Sequence, residues 1–401
     1  MDRKRYNTMI LLLGSLSAIG PFSIDMYLPG FPAIAAGLKT DIGHVGLSLT
    51  SYFIGISVGQ MLWGPLLDRY GRKKPLLIGL MMYILATLGC ACSPSVHFLI
   101  VLRLFQALGS CVGIVGARAV VRDLFSGREA ARVLSTLILI FGVSPVIAPT
   151  IGGFVATALG WRFIFLILAV IAGFVLVMAL RYLDESKAAD SAISLHPKKV
   201  AVDYVSLFKE PVFFTYICVS SLSMGVFFAY LAGSPLVYMK LNGFSATQFG
   251  WIYGANAVGL VIASQLNRVF LRVKGSAQIL LAVITMQCCL ALSLLIWSFL
   301  LPGKGIGILI LLSGLICCHG LINPNSIALG LEPFARKAGF AAALMGSIQQ
   351  LMGAVASGLV SYLYDGTARP MIGVMAGCSV LALTILTQRR HRGHGKTSPE
   401  D

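Results

Sequence analysis

Long apolar runs separated by short polar segments make up most of the chain. A helix needs about 20 mostly apolar residues to cross the hydrocarbon core of a bilayer, and twelve runs come close to that length. They lie at residues 9–29, 44–66, 74–92, 97–118, 132–156, 161–182, 212–238, 246–267, 276–300, 304–328, 338–362 and 370–388. The pattern therefore predicts an all-α membrane protein with twelve transmembrane helices.

One long polar stretch interrupts this pattern between the sixth and seventh spans. It reads DESKAADSAISLHPKKVAVDYVSLFKE and divides the spans six and six. We therefore expect two six-helix halves, at residues 1–183 and 212–390, joined by a linker at 184–211. A short tail at 391–401 follows the second half.

The distribution of lysine and arginine predicts the orientation of the spans, because cytoplasmic loops carry an excess of both residues. With both termini in the cytoplasm, the outer loops hold only a few of the 31 lysines and arginines, namely Lys39, Arg162, Lys240, Lys304 and Arg369. All the others except Arg103 fall in inner segments. The net charge of +16 is therefore mostly a topology signal. Because the basic residues are scattered among short loops, it does not indicate binding to nucleic acid.

Composition argues against a soluble protein and offers no metal or cofactor site. The chain is 57% hydrophobic and 11% charged, whereas typical soluble domains are about 25% charged. The nine cysteines lie within apolar runs or at their edges, with no CxxC pair and no zinc-type spacing to a histidine. We therefore interpret them as small hydrophobic residues, give His319 a packing or polar role, and expect neither a metal nor a cofactor.

Two ionisable residues lie well inside predicted spans. Asp25 and Arg103 occur at similar depths, in the outer halves of the first and fourth spans. A charged residue at the centre of a membrane helix costs about 2.5–3.5 kcal/mol on the insertion scale, so such residues usually face the protein interior and mark a transport path or relay. The alternatives are structural: Asp25 would cap a chain break at Pro29, and Arg103 would be a fixed counter-ion.

Three short motifs carry a family resemblance. The loop after the second span reads GPLLDRYGRKK (64–74), the fourth span contains RLFQALG (103–109), and the fifth contains GVSPVIAPTIGG (142–153). They resemble, in that order, the signature loop, the proton-linked motif and the antiporter motif of the major facilitator superfamily. The antiporter motif would consist of small and helix-bending residues of the fifth span: Gly142, Pro145, Pro149, Gly152 and Gly153.

A finer resemblance covers almost the whole chain. The segments SIDMYLPGFP (23–32), RAVVRDLF (118–125), GWRFIF (160–165) and AGFAAALMGSIQQ (338–350) are similar to those of bicyclomycin-resistance-type drug:proton antiporters. The resemblance implies a monomer with the major facilitator fold that exports small molecules in exchange for protons across a bacterial inner membrane. The C-terminal half carries fewer specific motifs, so the sequence does not identify the substrate.

The resemblance also implies a role for the intramembrane charges. In the superfamily fold the first and fourth spans are neighbours that line a central cavity. We therefore predict that Asp25 and Arg103 share a polar network, through Gln106 or water, and that this network couples proton movement to transport. Burial and a neighbouring arginine act in opposite directions on a carboxyl group, so a movement of the helices can release its proton.

The signature loop is predicted to form a cytoplasmic gate. We expect Asp68 to hold the two halves together by pairing with Arg72, Arg118 or Arg122 and with the N-terminal end of the eleventh spanning helix near Ala338. The alternative is a charged turn that only sets topology. The residues assigned to this gate are Asp68, Arg69, Gly71, Arg72, Arg118 and Arg122.

Polar, aromatic and methionine side chains within the spans are the candidates for substrate contact, although each could serve packing instead. They are Met26, Tyr27, Tyr52, Gln60, Gln106, Met224, Phe227, Tyr230, Tyr253, Asn256, Asn323 and Gln349.

Other classes of function agree less well with the sequence. A transporter of the same fold could export an endogenous metabolite, such as a siderophore, a nucleoside or a sugar. A membrane-embedded enzyme would need a nucleophile, a metal site or clustered acids, and the subunit of an ATP-driven pump would need a glycine-rich phosphate-binding loop, but the sequence contains none of these. A channel would not need the antiporter-type fifth span. The sequence therefore predicts a proton-coupled exporter of small molecules and not an enzyme.

Overall fold

The computed structural model describes residues 3–190, 207–300, 305–334 and 338–394, and within these ranges every regular element is a helix. Most of the predicted linker, Lys304 and the end of the predicted tail lie outside the described residues. The helices are α1 (Arg3–Asp25), α2 (Phe31–Gly37), α3 (Ile42–Tyr70), α4 (Lys73–Ala91), α5 (Val96–Leu124), α6 (Gly127–Ala158), α7 (Trp161–Tyr182), α8 (Pro211–Pro235), α9 (Ala246–Phe270), α10 (Ser276–Leu300), α11 (Ile306–Leu331), α12 (Ala338–Tyr362) and α13 (Arg369–His394).

Twelve helical segments in the described ranges are long and apolar enough to cross a membrane. The first combines α1 and α2 over Arg5–Gly37, and α3 to α13 are the second to the twelfth. The predicted all-α fold with twelve spans is therefore confirmed. The largest difference is in the first span, which extends beyond the predicted 9–29 at both ends.

The first span is not one continuous helix. α1 ends at Asp25, a 3-10 turn follows at Leu28–Gly30, and α2 begins at Phe31. Pro29 lacks a backbone N–H and has a fixed φ, so it favours an interruption here. Every residue from 25 to 31 is buried. The interruption therefore places Asp25 at the C-terminal end of α1, inside the protein.

Packing divides the chain into two compact units. The first comprises Met1–Pro197 and Gly243–Ala257, and the second comprises Lys198–Asn242 and Val258–Asp401. The first unit thus contains α1 to α7 and the beginning of α9. The predicted boundaries at 183 and 212 place residues 243–257 in the C-terminal half, whereas this segment packs with the first unit.

Within the first unit, α5 packs against α1, α3 and α4. Glycines allow the closest of these approaches, because a Cβ at Gly113 would overlap the carbonyl oxygen of Leu16 in α1. A Cβ at Gly109 would lie 2.6 Å from the backbone nitrogen of Tyr83 in α4. Small residues of this kind let membrane helices bring their backbones into contact. They place Arg103, near the start of α5, beside α1.

Candidate functional site

Asp25 is buried in the first unit, where α1, α6 and the beginning of α9 meet. The residue is only 4% exposed. Tyr253 of α9 donates a hydrogen bond to its Oδ1 over 3.0 Å, and Ser144 of α6 donates one to its Oδ2 over 3.3 Å. Within the described ranges, no cation forms an ion pair with this carboxyl group. We name Asp25, Ser144 and Tyr253 the acid junction.

Arg103 is also completely buried, but in a different environment. Its Nη1 donates to the carbonyl oxygen of Ser23 over 3.1 Å and to Oε1 of Gln106 over 2.7 Å. The rings of Tyr27 and Tyr52 lie against the guanidinium, with their centroids 4.3 and 4.2 Å from Cζ. Aromatic faces attract cations in this geometry. We name these five residues the arginine cage.

The arginine cage leaves part of the guanidinium unused. Nε and Nη2 of Arg103 have no hydrogen-bond partner among the described residues. Gln106 continues the polar chain by donating to Thr87 over 2.9 Å. The positive charge is therefore met by a carbonyl group, an amide and two ring faces, and no carboxylate of the described residues pairs with it.

The structure does not show the link through Gln106 that the sequence predicts for Asp25 and Arg103, and a link through water stays a prediction. Among the described residues, no hydrogen bond or ion pair joins the two, and Gln106 bonds to Arg103 but not to Asp25. The end of α1 explains the difference. Arg103 reaches the backbone of Ser23, whereas Asp25, two residues later, binds hydroxyl groups of α6 and α9. Those hydroxyls, rather than backbone N–H groups near Pro29, occupy its carboxyl oxygens.

Residues of the antiporter-type motif in α6 lie against the backbone of Met26, just after α1, and against the backbone of α9. A Cβ at Gly152 would overlap the carbonyl oxygen of Met26, and a Cβ at Gly153 would lie 2.5 Å from a carbonyl oxygen of α9. From the opposite side, a Cβ at Gly250 would lie 2.8 Å from the carbonyl oxygen of Pro149. These glycines allow direct backbone contact between the helices.

Two other motif residues have different surroundings. A Cβ at Gly142 would meet none of the described residues within 4 Å, so packing against them does not explain this glycine. Pro145 lies inside α6 directly after Ser144, a member of the acid junction. The antiporter-type motif is thus next to Asp25, which the sequence alone did not predict.

The loop between α3 and α4 is organised around Arg72. This residue is 1% exposed, and its guanidinium pairs with Asp123 at 2.6 Å and with Asp68 at 2.7 Å. Burial acts to lower the pKa of Arg72, but the two carboxylates outweigh it and hold the pKa above its ordinary value. The charged side chain therefore connects the ends of α3 and α5.

The segment after α7 folds back onto this loop. Glu185 accepts hydrogen bonds from the backbone N–H groups of Arg72 (2.5 Å) and Lys73 (3.1 Å), at the start of α4. Such N–H groups have no partner within their own helix. Lys187 pairs with Asp68 at 3.3 Å. We name the following charged residues the signature-loop cluster: Asp68, Arg72, Asp123, Glu185 and Lys187.

Gly71 fits this arrangement for two reasons. Its φ is +84°, a backbone conformation that favours glycine. A Cβ at this position would lie 2.6 Å from Oε2 of Glu185. The glycine of the predicted gate therefore allows both the turn and the close approach of the carboxylate.

Sequence reasoning identified part of the signature-loop cluster and missed the rest. Of the three predicted partners of Asp68, Arg72 pairs with it, whereas Arg118 and Arg122 are exposed, and in the described ranges no hydrogen bond or ion pair joins them to it. α5 instead presents Asp123. Glu185 could have been found as an acid directly after the sixth span. The predicted contact of Asp68 with the N-terminal end of the eleventh span, α12, stays a prediction.

Replacing Glu185 by alanine should lower the melting temperature of the protein in detergent. Two N–H groups at the start of α4 would lose their acceptor, at a cost of about 1–2 kcal/mol. Asp184→Ala is the matched control, because the pair between Asp184 and Arg5 is exposed and such pairs are worth at most about 1 kcal/mol. Equal melting temperatures for the two variants would contradict the proposed cap.

The second unit contains its own polar interior positions. Phe227 of α8 stacks on His319 of α11, with ring centroids 5.4 Å apart and planes at 13°. Oγ of Ser223 lies 3.0 Å from Nδ1 of the same histidine. Gln349 of α12 donates to Oδ1 of Asn323 over 3.1 Å. Two substrate candidates, Asn323 and Gln349, thus share a hydrogen bond in this unit, and a third, Phe227, stacks on a histidine.

The remaining substrate candidates have varied surroundings. Tyr230 packs edge-on against Tyr238 in the second unit. Asn256 is buried in the part of α9 that belongs to the first unit, whereas Gln60 and Met224 are half-buried. Burial alone therefore does not separate substrate contacts from packing.

Comparison with known families identifies the architecture. The model of the Major Facilitator Superfamily matches residues 13–357. The chain belongs to the major facilitator superfamily. This superfamily member is accordingly a multi-pass membrane transporter rather than an enzyme.

Among three curated relatives of this superfamily member, two are named for drug resistance. It is 34% identical over 393 residues to the MFS-type transporter YdgK of Bacillus subtilis, covering 95% of this chain and 96% of the relative. It is 31% identical over 392 residues to a bicyclomycin resistance protein homolog of Haemophilus influenzae, covering 96% and 98%. A chloramphenicol resistance protein of Pseudomonas aeruginosa is 28% identical, with coverages of 94% and 88%. The resemblance to bicyclomycin-resistance-type proteins is confirmed.

Solved structures agree with the superfamily fold. A bacterial homolog of the human lysosomal transporter Spinster superposes with a TM-score of 0.76 at 11% identity, covering 98% of both chains. A D-xylose-proton symporter gives 0.73 at 16% identity, with coverages of 95% and 97%. At these identities the likeness concerns the fold, and the predicted major facilitator fold is confirmed.

Proposed function

We propose that this transporter exports drugs or other small amphipathic molecules in exchange for protons by alternating access. The observation that carries the proposal is the acid junction, where a carboxyl group inside the spanning helices has hydroxyl partners and no described counter-cation. Such a group can take up and release a proton as its surroundings change. A proton that crosses a potential of about 100 mV supplies about 2.3 kcal/mol, which is available for moving substrate outward.

We further propose that the transporter works as a monomer in a bacterial inner membrane, with both termini in the cytoplasm. The lysine and arginine distribution supports this orientation. The bacterial relatives support the choice of membrane. In this orientation the signature-loop cluster faces the cytoplasm and would stabilise one conformation of the transport cycle.

Drug-driven proton exchange should be measurable with purified protein in liposomes. Compounds from a panel that includes bicyclomycin and chloramphenicol should accumulate in the liposomes only while the lumen is more acidic than the medium, because protons that leave the lumen drive the entry of the compound. Adding an ionophore that collapses the gradient should end accumulation. Uptake that is unchanged without the gradient and stops at equal concentrations inside and outside would contradict exchange and would favour a channel.

Export of an endogenous metabolite is the second candidate function, since the same fold and proton site could serve it. A deletion strain separates the two. Increased susceptibility to compounds of the panel supports a drug exporter. A metabolite that accumulates in the cells, with unchanged susceptibility, supports a siderophore, nucleoside or sugar exporter.

A further inference from the structure

We infer that Tyr253 is a positioning residue of the proton site, whose hydroxyl group ties the charge state of Asp25 to the contact between α6 and α9. The inference rests on the proposed function, because it takes Asp25 as the group that carries the coupled proton. It adds a residue outside the three family-like motifs.

Tyr253 is held firmly beside the carboxyl group. It is 3% exposed, and its hydroxyl lies 3.0 Å from Oδ1 of Asp25. Phe249, one turn earlier in α9, is completely buried and packs against its ring with centroids 5.9 Å apart. The ring therefore has little freedom to turn away, and the hydroxyl follows any movement of α9.

The face of α9 that carries Tyr253 packs against α6. Gly250 lies three residues before Tyr253 and four residues before Gly254, so both of these residues neighbour Gly250 on the same side of the helix. A Cβ at Gly250 would lie 2.8 Å from the carbonyl oxygen of Pro149, and one at Gly254 would lie 3.1 Å from that of Val146. A small displacement of α9 along α6 would therefore change the distance between Tyr253 and Asp25 directly.

The strength of the hydrogen bond depends on the proton. An ionised carboxyl group only accepts hydrogen bonds, so it can bind the hydroxyl groups of Tyr253 and Ser144 together. A protonated carboxyl group carries a donor of its own, and hydrogen bonds to a neutral group are roughly half as strong as those to a charged one. Proton uptake would thus loosen the connection of α1 to α9, and proton release would restore it.

The charged groups on the helices around Asp25 have other partners, so they do not act on its carboxyl group as Tyr253 does. Arg103 of α5 bonds to α1 backbone and to a glutamine. Arg162 of α7 donates to the backbone oxygen of Ser93. α6 contributes the hydroxyl of Ser144, which is 3.3 Å from the acid and does not titrate. In the described ranges, Tyr253 is the titratable side chain that bonds to Asp25.

The test is an infrared titration of the protonated carboxyl band, assigned to Asp25 by its disappearance in Asp25→Asn. In Tyr253→Phe the ionised form loses a donor, so the midpoint should move to higher pH by about one unit. A fluorinated tyrosine at position 253 has a more acidic hydroxyl and should move it to lower pH. Tyr238→Phe, which removes another buried tyrosine hydroxyl, should leave it unchanged.

Opposite shifts of the titration midpoint in the two Tyr253 variants support the inference, because a tyrosine ring that serves only packing would cause neither shift. An unchanged midpoint in both variants overturns it. If Tyr253→Phe does not fold, the fluorinated variant decides alone. Drug-driven proton release is measured in parallel. If Asp25→Asn still releases protons, the proposed function is overturned. If Asp25→Asn releases none and the midpoint is unchanged in the Tyr253 variants, only the role of Tyr253 is overturned.

Discussion

Asp25→Asn is expected to abolish drug-driven proton release while the protein stays folded. Asparagine is close in size to aspartate, and its amide oxygen can still accept a hydrogen bond from the hydroxyl of Tyr253 or Ser144. The loss of stability should therefore be about 1–2 kcal/mol. Asparagine cannot bind and release a proton near neutral pH, however, so accumulation against a gradient should stop. A pH-sensitive dye that records proton release on drug addition provides the measurement.

Asp41→Asn is the matched control for this experiment. Asp41 lies outside the spanning segments and caps α3 by accepting the backbone N–H of His44 over 2.9 Å. Partial burial acts to raise the pKa of Asp41, but the hydrogen bonds from His44 outweigh it and hold the pKa below its ordinary value. Asparagine caps helices as well as aspartate does, so exchange should be normal. Normal proton release in Asp25→Asn itself would refute the proposed proton site.

Arg103→Ala is expected to combine a loss of transport with a large loss of stability. The substitution opens a cavity between Tyr27 and Tyr52 and leaves the amide oxygen of Gln106 without its donor. Together these effects should cost about 2–4 kcal/mol. Thermal unfolding in detergent measures the stability, and drug-driven proton release measures the transport.

Arg162→Ala is the matched control for Arg103→Ala, because it shows the effect of removing an arginine with similar contacts that is not buried. Arg162 makes contacts of the same kind, a bond to the carbonyl oxygen of Ser93 and a position 4.2 Å from the centroid of Trp161, but it is exposed. Its replacement should cost less than about 1 kcal/mol, because water competes for the charge. If the Arg103 variant were as stable and as active as the Arg162 variant, the arginine cage would have neither a structural nor a coupling role.

The spans could be predicted from sequence because lipid places a simple demand on the chain. Backbone groups must be satisfied within each segment, so length and hydropathy are enough to locate the helices. The interruption after Asp25 was harder to place. Pro29 indicated a break, but where the helix stops also depends on burial of the following turn, which hydropathy does not describe.

The side-chain partners could be predicted less well. Asp25 and Arg103 stand out as charges in apolar runs, and both are indeed buried. Their opposite charges favoured pairing, yet the end of α1 directs one toward hydroxyl groups and the other toward ring faces. Tyr253 and Glu185 are distant in sequence from the residues that they contact, and a tyrosine in a membrane helix or an acid in a linker is common. Only the packing of α9 and the return of the chain after α7 identify them.

The return of the chain after α7 matters for anyone who wishes to express the two halves as separate polypeptides. A cut after Leu183, where the apolar sequence ends, would remove the acceptor from the N–H groups of Arg72 and Lys73. A cut after Asp190, whose own N–H donates to the carbonyl oxygen of Arg69, would keep that acceptor with its helix. The N-terminal fragment should therefore include these seven residues if it is to assemble with its complement.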